Sequence, residues 1–152
     1  MRQSAEIGRL FAQNWSTLTL LCRMQGLNPS LNVRPEALNT VRRAKAAGAG
    51  VGILSNELEL FYGRETIENL HILKVSDCLI DATHAHILKP DLRAYGLGVQ
   101  ATGLPAPEIV FVDDQARNVK DARKAALATV YFDVTRPGES FAEAARLLGA
   151  SA

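Results

Sequence analysis

Two adjacent carboxylates, Asp113 and Asp114, close the apolar run Ile109–Val112 and stand directly before the polar stretch QARN. An unpaired carboxylate at the end of a buried run is costly, so this placement calls for a cation, a helix N-terminus or water. Ser55 and Asn56 close another apolar run, GIL, and Lys89 precedes Pro90. Together these side chains offer hydroxyl and amide hydrogen bonds, one cation and a hard-oxygen site. Magnesium takes oxygen ligands, keeps several waters and sits on one or two carboxylates plus a phosphate. A lysine and a hydroxyl beside it can hold phosphoryl oxygens, because phosphoryl transfer is catalysed chiefly by positioning and charge neutralisation. Successive side chains of a strand point to opposite faces, so Asp113 and Asp114 do not both aim at one ion; one binds and the other caps the following helix.

Groups this far apart in sequence act together only where the ends of several elements converge. Pro35, Glu36 and later basic residues define a helix from RPEAL to Gly48, and GVGILSN reads as a buried strand. Residues 57–70 read as one helix and VSDCLID as a strand. KPDLRAYGLGVQATG is a helix opened by Pro90 and closed by Gly103; Gly96 and Gly98 inside it each cost roughly 1 kcal/mol relative to alanine. EIVFVDD and ATVYFDV are strands, separated by a helix over 118–126, and a last helix covers 139–148. Apolar residues at helical spacing add a helical segment over 5–25. Strands alternating with helices imply a parallel sheet covered on both faces, with its functional crevice beyond the carboxyl ends of the strands.

The chain has 152 residues, 47% hydrophobic and 22% charged, the composition of one globular domain. A net charge of +1 gives no footprint for nucleic acid or an anionic membrane. No run of about 18 apolar residues suggests a membrane span and no signal peptide is evident, so the expected location is the cytoplasm. Cys22 and Cys78 follow no metal or disulfide spacing and read as small buried hydrophobes. His84 and His86 lack a third ligand nearby and read as a solvated loop pair. Asp133 reads as a turn residue before TRPG rather than a nucleophile.

The motifs VGILSN, LKPDLRAY and IVFVDDQARNV, in that order, resemble the second, third and fourth motifs of the haloacid dehalogenase-like (HAD) hydrolase superfamily, nearest the branch of the epoxide hydrolase N-terminal phosphatase domain. The resemblance covers roughly residues 34–134. It implies a Rossmann-like α/β fold, a parallel sheet with helices on both faces, divided into a remnant of a helical cap over 1–33 and an incomplete HAD-like core over 34–152. It also implies that Ser55 binds the transferred phosphoryl group with Asn56, that Lys89 neutralises it, and that Asp114, with Asp113 and Asn118 in support, holds Mg2+. The substrate would be a small phosphorylated molecule, hydrolysed through an aspartyl-phosphate.

The first motif of that family, an Asp-x-Asp strand carrying the nucleophile, has no counterpart, since no Asp-x-Asp occurs in the 152 residues. The resemblance puts the missing strand at the centre of the sheet, between those ending in Ser55 and Asp114. The expectations are impaired or absent activity and an open sheet, filled by a homo-oligomer or by a strand-completing partner. The alternatives are a non-catalytic binding or dimerisation protein and a subunit completed by another chain.

Overall fold

A computed structural model describes residues 33–149, so the helical segment over 5–25 and nearly all of the cap remnant over 1–33 lie outside the described residues. Helix α1 (Pro35–Ala46) starts on proline, carries Glu36 in its first turn and Arg43 and Lys45 in its last, each sign at the helix end that favours it. Strand β1 (Gly52–Ser55) follows. The stretch expected as one helix over 57–70 is instead broken into α2 (Leu58–Tyr62), α3 (Arg64–Asn69) and α4 (His71–Val75). The first break falls at Gly63, whose φ of 73° only glycine adopts without strain, and the second at Leu70, which is extended and buried.

Strand β2 (Cys78–Asp81) leads into the one-turn helix α5 (Ala82–Ala85) and then α6 (Leu92–Thr102). Asp91 caps α6 by accepting from the Arg93 N–H, and Gly103 closes it in the left-handed conformation at φ 66°. A 3-10 turn over Ala106–Glu108 precedes β3 (Val110–Asp113), α7 (Ala116–Lys124), β4 (Ala128–Tyr131) and α8 (Pro137–Leu147). None of the helices among the described residues is long and apolar enough to cross a membrane.

The strands pair in parallel, but as two separate sheets: β1 with β2, Gly52 opposite Cys78, and β3 with β4, Val110 opposite Ala128. Helices cover both faces. Helix α6 packs on β1 and β2, α7 on β3 and β4, and the two helices touch; on the other side α8 packs on β3 and β4 and against α1. The core of the first layer is Tyr95, Ala122 and Leu127, joined by Leu54, Ile109 and Phe111 from the strands. Tyr95 and Phe111 meet edge to face with ring centroids 5.4 Å apart. Alternation along β3 sends Val110 and Val112 to the opposite layer.

Parallel strands covered on both faces are ordinarily buried. Here every residue of β3 and most of β1 remain only half-buried. The cause is a gap of about 710 Å³ between β1 and β3, walled by both strands and roofed by α1, α6 and α8.

Candidate active site

The carboxyl ends of β1 and β3 are wired together through Lys89. Asn56, just past β1, clamps the Lys89 backbone at two points: its Nδ2 donates to the Lys89 carbonyl at 3.0 Å and its Oδ1 accepts from the Lys89 N–H at 2.7 Å. The clamp aims the side chain, and Lys89 Nζ donates to Asp113 Oδ2 at 2.7 Å. The ammonium also lies 5.4 Å from the centroid of the Phe111 ring. The two side chains are only 11% and 7% exposed, which makes this a buried ion pair. Lys89 is therefore not a solvated loop charge, and its ammonium already has a carboxylate partner. One of its three N–H donors is spent on Asp113.

Both oxygens of Asp113 are occupied. Asn118 Nδ2 donates to Oδ1 at 3.0 Å and to Oδ2 at 3.2 Å, and the Gln115 N–H donates to Oδ1 at 2.8 Å. Asn118 is buried in the first turn of α7, where Tyr95 Oη donates to its carbonyl at 2.8 Å. Burial, followed by the charges of Asp113 and Asp121, raises the Tyr95 phenol to about 12. Of the two acids expected to divide binding and capping between them, Asp113 takes the inward position and bonds the backbone before α7. Asp114 is exposed on the wall of the gap and makes no hydrogen bond or ion pair with the described residues.

Ser55 ends β1, and its Oγ accepts from the Glu57 N–H at 3.3 Å. Asn56, Lys89, Asp113 and Asn118 thus form one connected cluster, with Ser55 and Asp114 each adjacent in sequence to a member of it. A hard cation with few protein ligands suits this donor set. Asp114 is an open carboxylate, and Asn118 Oδ1 is a buried oxygen without a hydrogen-bond partner among the described residues. The set is small, since no group of three or more His, Cys, Asp or Glu able to hold a metal occurs among the described residues.

The criterion that singles out Asp113, a carboxylate ending an apolar run, applies equally to Asp81 in CLID, which the sequence reading passed over. Asp81 stands opposite Ser55 in the β1–β2 register, is 8% exposed, and accepts from the Glu59 N–H at 2.7 Å. Glu59 in turn pairs with His84 Nε2 at 2.5 Å and with Arg64 at 3.3 Å. His84 therefore sits in a short helix rather than a loop and has a carboxylate partner, while its side chain stays solvated, 60% exposed. Asp133 does build a turn: Thr135 N–H and Oγ1 donate to it, and Arg136 adds an ion pair. Those bonds, the threonine's first, hold its carboxyl near 2. Cys78 is a free, half-buried thiol, and Cys22 lies outside the described residues.

Parallel strands under two helical layers, with a lysine, an asparagine and paired acids gathered at their carboxyl ends, define a hydrolase core of the HAD class. Residues 10–126 match the model of the haloacid dehalogenase-like hydrolase family, and the chain belongs to that family. An (S)-2-haloacid dehalogenase of Pseudomonas putida is 33% identical over 81 residues, 53% of this chain and 35% of that enzyme. A phosphatase of Mycobacterium tuberculosis is 28% identical over 99 residues, 65% of this chain and 46% of its own length. Among solved structures, a Corynebacterium glutamicum protein superposes with a TM-score of 0.66 at 29% identity, covering 80% of this chain and 89% of that one. The chain spans less than half the length of the two enzymes.

Proposed function

We propose that the cluster at the carboxyl ends of β1 and β3 is the anion site of a phosphate-ester hydrolase, and that the 152 residues present are impaired in turnover because they contain no Asp-x-Asp. The observation that carries the reading is the buried Lys89–Asp113 pair, clamped by Asn56 from one side and Asn118 from the other. A neutral, rigid, partly desolvated pair with unspent ammonium donors is a preorganised receptor for an oxyanion. In this reading Ser55 and Lys89 touch the phosphoryl group, while Asn56 positions Lys89 and is not itself free to bind substrate. Asp114 would hold Mg2+, which when bound would offset phosphate charge. The phosphatase among the relatives supports this chemistry. The dehalogenase among them supports carbon–halogen hydrolysis, which we rank second because that substrate's single carboxylate leaves an open acid such as Asp114 without a task.

Three measurements on the purified chain test the reading. Inorganic phosphate should bind in the presence of magnesium, and Ser55→Ala and Asp114→Asn should each weaken it at least tenfold. Hydrolysis of p-nitrophenyl phosphate should be absent or very slow. Robust hydrolysis abolished by Asp114→Ala would refute the impairment. Halide release from a 2-haloacid, with no binding of phosphate, would refute the phosphate assignment.

A further inference from the structure

The first sheet is also open on its far side, away from the gap. Strand β2 pairs with β1 alone, and among the described residues nothing pairs with its other edge. A shallow cleft of about 540 Å³ runs along that edge, and Leu79 on its floor is 41% exposed. Unpaired N–H and C=O groups are a template for another strand, which proteins ordinarily blunt with charge or proline on the edge itself. Cys78, Leu79 and Ile80 supply neither. Asp81 ends the usable edge, because its carboxylate turns to accept the Glu59 N–H at 2.7 Å as the chain enters α5.

The walls of the cleft state what pairs there. On α3 the lining residues are Arg64, Ile67 and Glu68, whose spacing of three and four puts them on one helix face. That face carries a cation at one end, a carboxylate at the other and an aliphatic side chain between. Arg64 is 73% exposed and commits only its Nε, to Glu59 at 3.3 Å, which leaves its terminal nitrogens. Glu68 is exposed and makes no hydrogen bond or ion pair with the described residues through its side chain. On α6 the lining residues Leu97, Gln100 and Ala101 repeat the spacing, with a bulky apolar group at one end and a small one at the other. Both faces are complementary to themselves once reversed. A two-fold axis normal to the sheet performs that reversal and keeps each wall on its own side. It sets Arg64 against the partner's Glu68 twice over, and Leu97 against the partner's Ala101, as a self-complementary two-fold interface requires.

We infer that two copies of this chain pair through the free edge of β2, antiparallel about a two-fold axis at Leu79, so that the two β1–β2 sheets continue into one. Opposed residues of an antiparallel ladder either both face each other or both turn away, so the axis of such a pair passes through a residue. Leu79 is the middle of the edge. It then stands opposite its own copy with Cα atoms about 4.5 or 5.5 Å apart, the two spacings an antiparallel pair allows. An extended peptide of another protein could use the same edge, but it would give no reason for opposite charges at the two ends of α3. The pairing rests on neither the anion site nor the gap, so it stands or falls apart from the hydrolase reading.

Sedimentation equilibrium of the full chain at micromolar concentration should give the mass of two copies. Leu79→Lys, which sets a charge on the edge, should give the mass of one, with its fold verified by far-UV circular dichroism. Arg64→Glu and Glu68→Arg should each weaken the dimer about tenfold or more, and the two together should restore it, an exchange that a purely local contribution to folding would not produce. With Cys22→Ser and Cys78→Ser in place, Leu79→Cys should oxidise to a covalent dimer, since both spacings lie within the roughly 4.4–6.8 Å between disulfide-linked Cα atoms. The inference fails if the parent chain sediments as one copy. Hydrogen exchange at Cys78, Leu79 and Ile80 then separates an edge covered by another part of the chain from one left open to an extended peptide, and either result overturns the pairing. It fails as well if the dimer survives Leu79→Lys, or if the charge exchange does not restore it, which would move the interface to another surface.

Discussion

Replacing Lys89 by methionine should destabilise the fold by about 3 kcal/mol. Removing one member of a buried ion pair costs roughly 3–5 kcal/mol because the other charge is left uncompensated. The Lys89–Asp113 pair qualifies, with side chains 11% and 7% exposed. The loss should sit at the low end, since Asp113 keeps the Asn118 amide and the Gln115 N–H. With an unfolding entropy of about 2.1 cal/mol/K per residue, 3 kcal/mol lowers Tm by about 9 °C in a chain of this length. The decisive comparison is a third variant. Lys89→Met combined with Asp113→Asn removes the stranded charge, so the double variant should be more stable than Lys89→Met alone, with a coupling of about 1–3 kcal/mol. Urea denaturation followed by far-UV circular dichroism measures all three, provided the slope with denaturant is unchanged. The reasoning is refuted if Lys89→Met stays within about 1 kcal/mol of the parent, or if the two substitutions add.

Tyr95→Phe removes the hydrogen bond to the Asn118 carbonyl and should cost about 1 kcal/mol by the same assay. The phenol also sets an alkaline limit. Its value of about 12 in the folded state stands above the ordinary 10, so its contribution is complete below pH 10 and is lost as pH rises through 12, a slope Tyr95→Phe should lack. Gly52→Ala would bring a new Cβ to 2.8 Å from Cys78 Sγ, costing about 1–3 kcal/mol; adding Cys78→Ala should return most of it. Ala126, exposed beyond α7, holds φ at 64°, so Ala126→Gly should raise stability by about 0.5–1 kcal/mol in thermal unfolding.

Elements that carry their own stop signals were legible in the sequence. Pro35 opens α1, Gly103 closes α6, and the small or acidic residues after GIL and VFV mark where β1 and β3 end; the start of α6, expected at Pro90, falls instead at Leu92, behind the Asp91 cap. Local chemistry decides such features, and a single segment contains it. The segment over 57–70 failed for the opposite reason: its helical periodicity survives a break, and only the backbone angle at Gly63 reveals it. Ala126 ends α7 in a conformation that glycine would have announced. At the site, the residue types were readable but the wiring was not. That Asn56 holds the backbone of Lys89, and that Lys89 chooses Asp113 over Asp114, depends on how the Lys89 loop meets two strand ends 33 and 24 residues away in sequence. The division into two sheets was out of reach of pattern alone, because alternating strands and helices do not say which strands are neighbours; only the family resemblance led to an expected opening between the strands ending in Ser55 and Asp114, where the two sheets do part.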